Sequence, residues 1–132
     1  MAKNRVFISY DYDRDKAFKD RLLGWDAGKE IDFSSYDQSI EVAVDSDNAA
    51  VIKQVLSARI GDSSHFLCIV GKESYRSGWV EWETRKAVEL KKKLVAVRTD
   101  SINNPPRALQ SAGASWSMMF NFDSIKKALA DV

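Results

Sequence analysis

In the stretch Ser77-Gly78-Trp79-Val80-Glu81-Trp82-Glu83-Thr84-Arg85-Lys86-Ala87-Val88-Glu89-Leu90, one carboxylate breaks the pattern set by its neighbours. With a helical turn of about 100° per residue and Trp79 at zero, Leu90 falls at about 20°, Ala87 at about 80° and Val80 at about 100°, which draws one apolar arc. Glu83, at about 40°, lies inside that arc, whereas Glu81, Arg85, Glu89 and Lys92 cluster at roughly 200° to 280°. A carboxylate on a buried face needs a partner, a bound ligand or a raised pKa. Glu83 is therefore either a catalytic candidate or a core-rim acid paired with a base such as Arg98.

Other chemistries lack their residues. Cys68 is the only cysteine and stands in the middle of an apolar run, so it reads as core filler, with no intrachain disulfide to make. His65 is also the only histidine, and no metal site is expected where no cluster of such ligands converges. Tyr10-Asp11-Tyr12-Asp13 stands where a nucleotide-binding fold would carry a Gly-rich turn, so phosphate cradles of the Walker, dinucleotide and flavodoxin kinds are missing. Asp11 and Asp13 would suit a metal-dependent receiver domain, but Val70-Gly71 occupies the place of its phosphoacceptor acid.

Composition narrows the partners. With 20 basic and 19 acidic residues the net charge is +1, which gives no electrostatic grip on nucleic acid or an anionic membrane. The longest apolar runs, Phe66-Leu67-Cys68-Ile69-Val70 and Leu94-Val95-Ala96-Val97, fall far short of a bilayer span, and Met1-Ala2-Lys3-Asn4-Arg5 has no signal-peptide apolar region. A cytoplasmic protein is the expectation. A chain of 132 residues that is 45% hydrophobic is expected to form one domain, residues 1–132, with a core of its own.

The elements that must position Glu83 are legible in outline. Arg5-Val6-Phe7-Ile8-Ser9-Tyr10 reads as a first strand, and an Asp-rich turn leads into a helix with Phe18, Leu22 and Trp25 on one face, stopped by Gly24 and Gly28. Ile31-Asp32-Phe33 suits a short strand near a sheet edge, and no period holds over residues 34–47. Asp47 is expected to cap a helix with Val51, Ile52, Val55, Leu56 and Ile60 as its apolar stripe, closed by Gly61. His65–Val70 is the most apolar run and the expected central strand.

The helix bearing Glu83 should close on Lys91-Lys92-Lys93, cations suited to the negative end of its dipole. Leu94-Val95-Ala96-Val97 gives a fourth strand, a break follows at Asn103-Asn104-Pro105-Pro106, and a helical turn reaches Gln110. The alternation of Trp116, Met118, Phe120 and Phe122 predicts a last strand, and Asp123 a cap for a terminal helix with Ile125, Ala128, Leu129 and Val132. Alternating strands and helices mean an α/β protein: a flavodoxin-like, three-layer domain with a mostly parallel five-stranded sheet in the order 2-1-3-4-5. Such sheets bind ligands beyond the carboxyl ends of the strands where the winding reverses. Ser9, Tyr10 and Asp11, the helix of Trp79 and Glu83, and the loop of Tyr36 should meet there.

Val6-Phe7-Ile8-Ser9-Tyr10 with its Asp-rich turn resembles the opening strand of a TIR domain. Ser77-Gly78-Trp79-Val80-Glu81-Trp82-Glu83 resembles the helix segment that carries the TIR NAD-cleaving glutamate. The resemblance is to the TIR-like family that includes the sensors of the bacterial Thoeris anti-phage system, and it runs from about residue 5 to about residue 97. It implies an NAD glycohydrolase or cyclase that makes an ADP-ribose type signal for a downstream effector, with NAD as substrate and no cofactor. By the same resemblance Glu83 is catalytic and Ser9, Tyr10 and Asp11 line the substrate; Tyr36, in a loop that diverges from the family, and Trp79 are further substrate-binding candidates because their elements should meet at the same place. It further implies a homo-oligomer when active, since TIR enzymes complete their sites with a neighbouring subunit. Two alternatives stay open: a TIR-like interaction module without turnover, and an enzyme like the nucleoside deoxyribosyltransferases, which use a glutamate on a similar sheet.

Overall fold

The computed structural model describes residues 5–132 except Ala27, Lys29, Gln38, Ser39 and Met118. Residues 1–4, Gln38 and Ser39 of the expected loop, and Met118 of the expected alternation thus lie outside the described residues.

Five strands form one sheet: β1 (Arg5–Ser9), β2 (Asp32–Ser35), β3 (His65–Val70), β4 (Lys93–Arg98) and β5 (Ser115–Ser117). Their order is β2-β1-β3-β4-β5, and every neighbouring pair is parallel. The central place of β3 follows from its composition: all six of its residues are buried, which suits a strand covered on both faces. β2, with no fully buried residue, is an edge. The helices are α1 (Tyr12–Trp25), α2 (Ala50–Gly61), α3 (Gly78–Glu89), α4 (Arg107–Gln110) and α5 (Phe122–Ala130). One core joins Phe7, Phe66 and Ala96 to Leu56 and Ile60 of α2, Val80 and Ala87 of α3 and Leu109 of α4. The other joins Ile8, Leu67 and Val95 to Leu22 of α1 and to Ile125 and Ala128 of α5. Cys68 belongs to the first core, as its apolar neighbours predicted.

Several boundaries differ from the sequence reading. Gly24 lies inside α1, which ends at Trp25 because Asp26 turns away and accepts the backbone N–H groups of Glu30 and Ile31. β2 starts one residue later than expected and runs through Ser35. Asp47 caps nothing: it opens a short 3-10 turn, Asp47–Ala49, before α2. Only one line of the α2 stripe, Ile52, Leu56 and Ile60, meets the core, while Val51 and Val55, roughly 140° and 100° from the centre of that line on the wheel, are exposed.

α3 also stops early. Leu90 follows its last residue and is exposed, so the helical angle placing it on the apolar arc does not apply. The three lysines divide. Lys91 takes a left-handed turn at φ 58°, Lys92 Nζ donates to the carbonyl of Gly61 at the end of α2 at 2.9 Å, and Lys93 opens β4. β5 is shorter than the alternation suggested, since Phe120 packs on Phe18 and Trp25 of α1 and Phe122 starts α5, which Asn121 caps in place of Asp123.

Candidate functional site

β1 ends at Ser9, and the chain turns at once into α1. Asp11 caps that helix by accepting the N–H of Asp13 at 3.2 Å and pairs with Arg14 at 3.1 Å, so its carboxylate is committed to the helix start. Across the sheet, Gly71 and a 3-10 turn at Ser74–Arg76 bring the chain to α3, whose first turn is capped by Ser77 Oγ accepting the N–H of Val80. Glu83 follows one turn later, beside the end of β1.

There Glu83 is 6% exposed. Its Oε1 accepts a hydrogen bond from Ser9 Oγ at 2.7 Å, and among the described residues no ion pair reaches it. The expected alternative partner, Arg98, is occupied elsewhere: its Nε donates to the carbonyl of Asn103, and its guanidinium lies over the Trp116 ring, 4.1 Å from the centroid. Burial without a cation pushes the Glu83 carboxyl up to about 8, against the smaller opposing effect of the Ser9 hydroxyl. At neutral pH the resting carboxyl therefore holds its proton.

Glu83 opens onto a cavity of about 90 Å³ lined also by Tyr10, Asp11, Tyr36, Ser77 and Trp79. The three stretches expected to converge do so, with Ser9 behind Glu83 instead of in the wall. The cover is tight. Trp79 Nε1 donates to the carbonyl of Val42 at 3.0 Å, and a Cβ on Gly78 would come within 2.9 Å of Val44 Cγ1, so the loop after β2 lies directly on the start of α3. Asp37 anchors the loop's near end. Its Oδ1 accepts from Tyr10 Oη at 2.8 Å and from Ser35 Oγ at 2.6 Å, and Lys19 Nζ stands 3.2 Å away. Burial opposes the Asp37 charge, but these donors outweigh it and hold the carboxyl below its ordinary value. Tyr10, buried and bonded to Asp37, is held well above the ordinary phenol range. Among the described residues no group of three or more His, Cys, Asp or Glu is placed to hold a metal ion, and no helix is long and apolar enough to cross a membrane.

Two acids were missed or misplaced by the sequence reading. Asp15, read as part of a turn, is buried in α1 with its carboxylate against the backbone of Gly71. Ser74 Oγ lies 3.4 Å from it, and burial together with Asp11 raises its carboxyl to about 6. The signal was available: Asp15 precedes Phe18 by three and Leu22 by seven, the spacing of the buried face. Glu81, read as solvent-facing, accepts the N–H of Ala108 with Oε1 at 2.8 Å and so ties α4 to α3.

Solved structures share this architecture. A 2-desoxiribosyltransferase from Leishmania mexicana superposes with a TM-score of 0.66 at 13% identity, with 97% of each chain covered. The CMP N-glycosidase BcmB of Clostridium botulinum gives 0.58 at 14% identity over 98% of this chain and 100% of its own. The TIR domains of the activated Roq1 resistosome give 0.53 at 19% identity over 74% of this chain and 60% of theirs. At such identities the likeness is one of fold. No curated protein matches the chain by sequence. The family described as Thoeris protein ThsB, TIR-like domain, matches residues 7–104, a span that holds β1 from Phe7 onward, all of β2, β3 and β4, and every residue of the Glu83 cavity, and the chain belongs to that family.

Proposed function

We propose that this protein cleaves the N-glycosidic bond between nicotinamide and ribose in NAD, with Glu83 as the catalytic carboxylate. The observation that carries the reading is a buried glutamate with a serine hydroxyl and, among the described residues, no cation for company at the mouth of a cavity beyond the sheet. A structural acid at that depth would need a base, and the base expected for it is bonded elsewhere. Membership of the TIR-like family supports the same substrate.

The chemistry suits one carboxylate. Nicotinamide is cationic while bound to ribose and leaves neutral, taking the electron pair of the C1′–N bond, so no acid is needed to protonate it, unlike the departing oxygen of a sugar ether. Glu83, as carboxylate, stabilises the positive charge growing on the ribose ring, a gain realised mainly in the transition state. Water or an adenine nitrogen of the same molecule then bonds to C1′ and releases one proton. The product is ADP-ribose or a cyclic form of it, a signal for a downstream effector in anti-phage defence. The resting proton on Glu83 has a role in this scheme. A cationic substrate favours the carboxylate, so NAD binding expels that proton, and catalysis strengthens as pH rises through the Glu83 titration. A second copy of the chain completing the mouth of the site remains part of the proposal.

A second reading is supported by the same carboxyl. An acid that keeps its proton to about pH 8 could donate it to a neutral leaving base, as cleavage of a nucleoside or of CMP requires, and two of the structural neighbours are named for such substrates. The purified protein, incubated separately with NAD, deoxynucleosides and CMP below and above pH 8, separates the readings. NAD cleavage should release nicotinamide faster at the higher pH; release of pyrimidine or purine that is faster at the lower pH would replace it with the second reading.

A further inference from the structure

The Glu83 cavity is too small for the substrate proposed for it. Its volume of about 90 Å³ compares with the roughly 300–1,000 Å³ typical of pockets that enclose small organic ligands. An open groove of about 620 Å³ runs beside it along the outer edge of β2, and Tyr36 lines both spaces. Tyr36 is thus the wall between them. Behind that wall stands Arg59 of α2, whose guanidinium lies over the Tyr36 ring 5.4 Å from its centroid and donates through Nη1 to the carbonyl of Ser35 at 2.9 Å.

We infer that the β2 groove is the second subsite of the same site, taking the distal nucleoside monophosphate of a dinucleotide that crosses from Glu83 past Tyr36, with Arg59 meeting its phosphates. The inference rests on the Glu83 reading for the other half of the substrate. Of the two cations along the groove, Arg59 is the one open to phosphates, while Asp62, in no ion pair among the described residues, is the acid that opposes them. Arg5 is matched by Asp32 at 2.8 Å, and Asp37 by Lys19 and the Tyr10 hydroxyl, whereas among the described residues Arg59 has no acid as partner. One of its five N–H groups is used on Ser35, which leaves others for anionic oxygens. Phe33 and the exposed Leu23 supply apolar surface for a base.

The test compares nicotinamide release from NAD with release from nicotinamide mononucleotide, which lacks the distal half, and follows AMP binding by amide chemical shifts. The wild-type chain should prefer NAD, and Arg59→Ala, at an exposed position outside the core, should cut that preference about tenfold or more, the scale of one hydrogen bond to a charged group. AMP should shift the amides of Leu23, Phe33 and Ser34 and do so more weakly in Arg59→Ala. Equal losses on both substrates, or AMP shifts at Glu83 and none along β2, would overturn the subsite. If neither substrate releases nicotinamide, the Glu83 reading fails, and the AMP shifts still decide whether the groove binds a nucleotide.

Discussion

Ser9 Oγ donates to Glu83 Oε1 at 2.7 Å across 74 residues of sequence, and it is the hydroxyl that favours the charged form of an otherwise uncompensated buried acid. Replacing Ser9 by Ala removes that donor, so the Glu83 carboxyl should titrate at still higher pH. In a pH profile of NAD cleavage the rising limb should move to the alkaline side. A limb that stays where it was would mean that some other group sets it.

Glu83 also makes stability depend on pH, with a definite sign. In the unfolded chain it ionises near 4.5, and in the folded chain it keeps its proton to about 8. Between those values the folded state binds more protons than the unfolded, so this group's contribution to stability falls as pH rises from 4.5 to about 8 and is flat outside that window. Asp15 acts with the same sign between 3.8 and about 6. Glu83→Gln, which has no proton to lose, should match the wild type near pH 4.5 and melt higher than it at pH 8. A lower melting temperature at pH 8, by the several degrees that losing an ion-pair partner costs, would restore a hidden base to Glu83.

Gly71 and Asp15 are coupled by shape. A Cβ at Gly71 would overlap the Asp15 carboxylate, so Gly71→Ala should cost about 1–3 kcal/mol by crowding. Adding Asp15→Ala removes the obstacle. Denaturant melts of the two single variants and the double should show strong non-additivity, and additive losses would refute the contact.

The loop over Glu83 is strapped by one indole. Trp79→Phe keeps most of the ring and removes the N–H that Val42 accepts at 3.0 Å. The loop should open more often by a factor set by about 1 kcal/mol, read as faster hydrogen exchange at Val42 and Val44. Unchanged exchange there would show that Val44 on Gly78 holds the loop without it.

How far the sequence foretold this molecule depends on the range of the interaction. Apolar continuity placed β3 at the centre and β2 at the edge, because burial on both faces removes polar residues from a strand. One helical wheel found Glu83, since a single misplaced charge is visible against a regular stripe. Apolar periodicity misjudged Val51 and Val55 in α2 and Leu90 after α3, because it shows which side is apolar without showing how wide the contact is or where the helix stops. Ser9 against Glu83, Asp15 against Gly71 and Arg59 over Tyr36 join residues far apart in the chain, and only the packed sheet brings them together.

The central claim is that the Glu83 carboxylate cleaves NAD, and the most direct measurement is nicotinamide release at saturating NAD by the wild type, Glu83→Gln and Glu89→Gln. Gln keeps the size of Glu and removes the charge. The account predicts that Glu83→Gln stays folded and loses at least about 100-fold in rate, the scale of one key electrostatic group. Glu89→Gln, on the exposed side of α3, should keep the wild-type rate. Release of nicotinamide by Glu83→Gln at the wild-type rate would contradict the account.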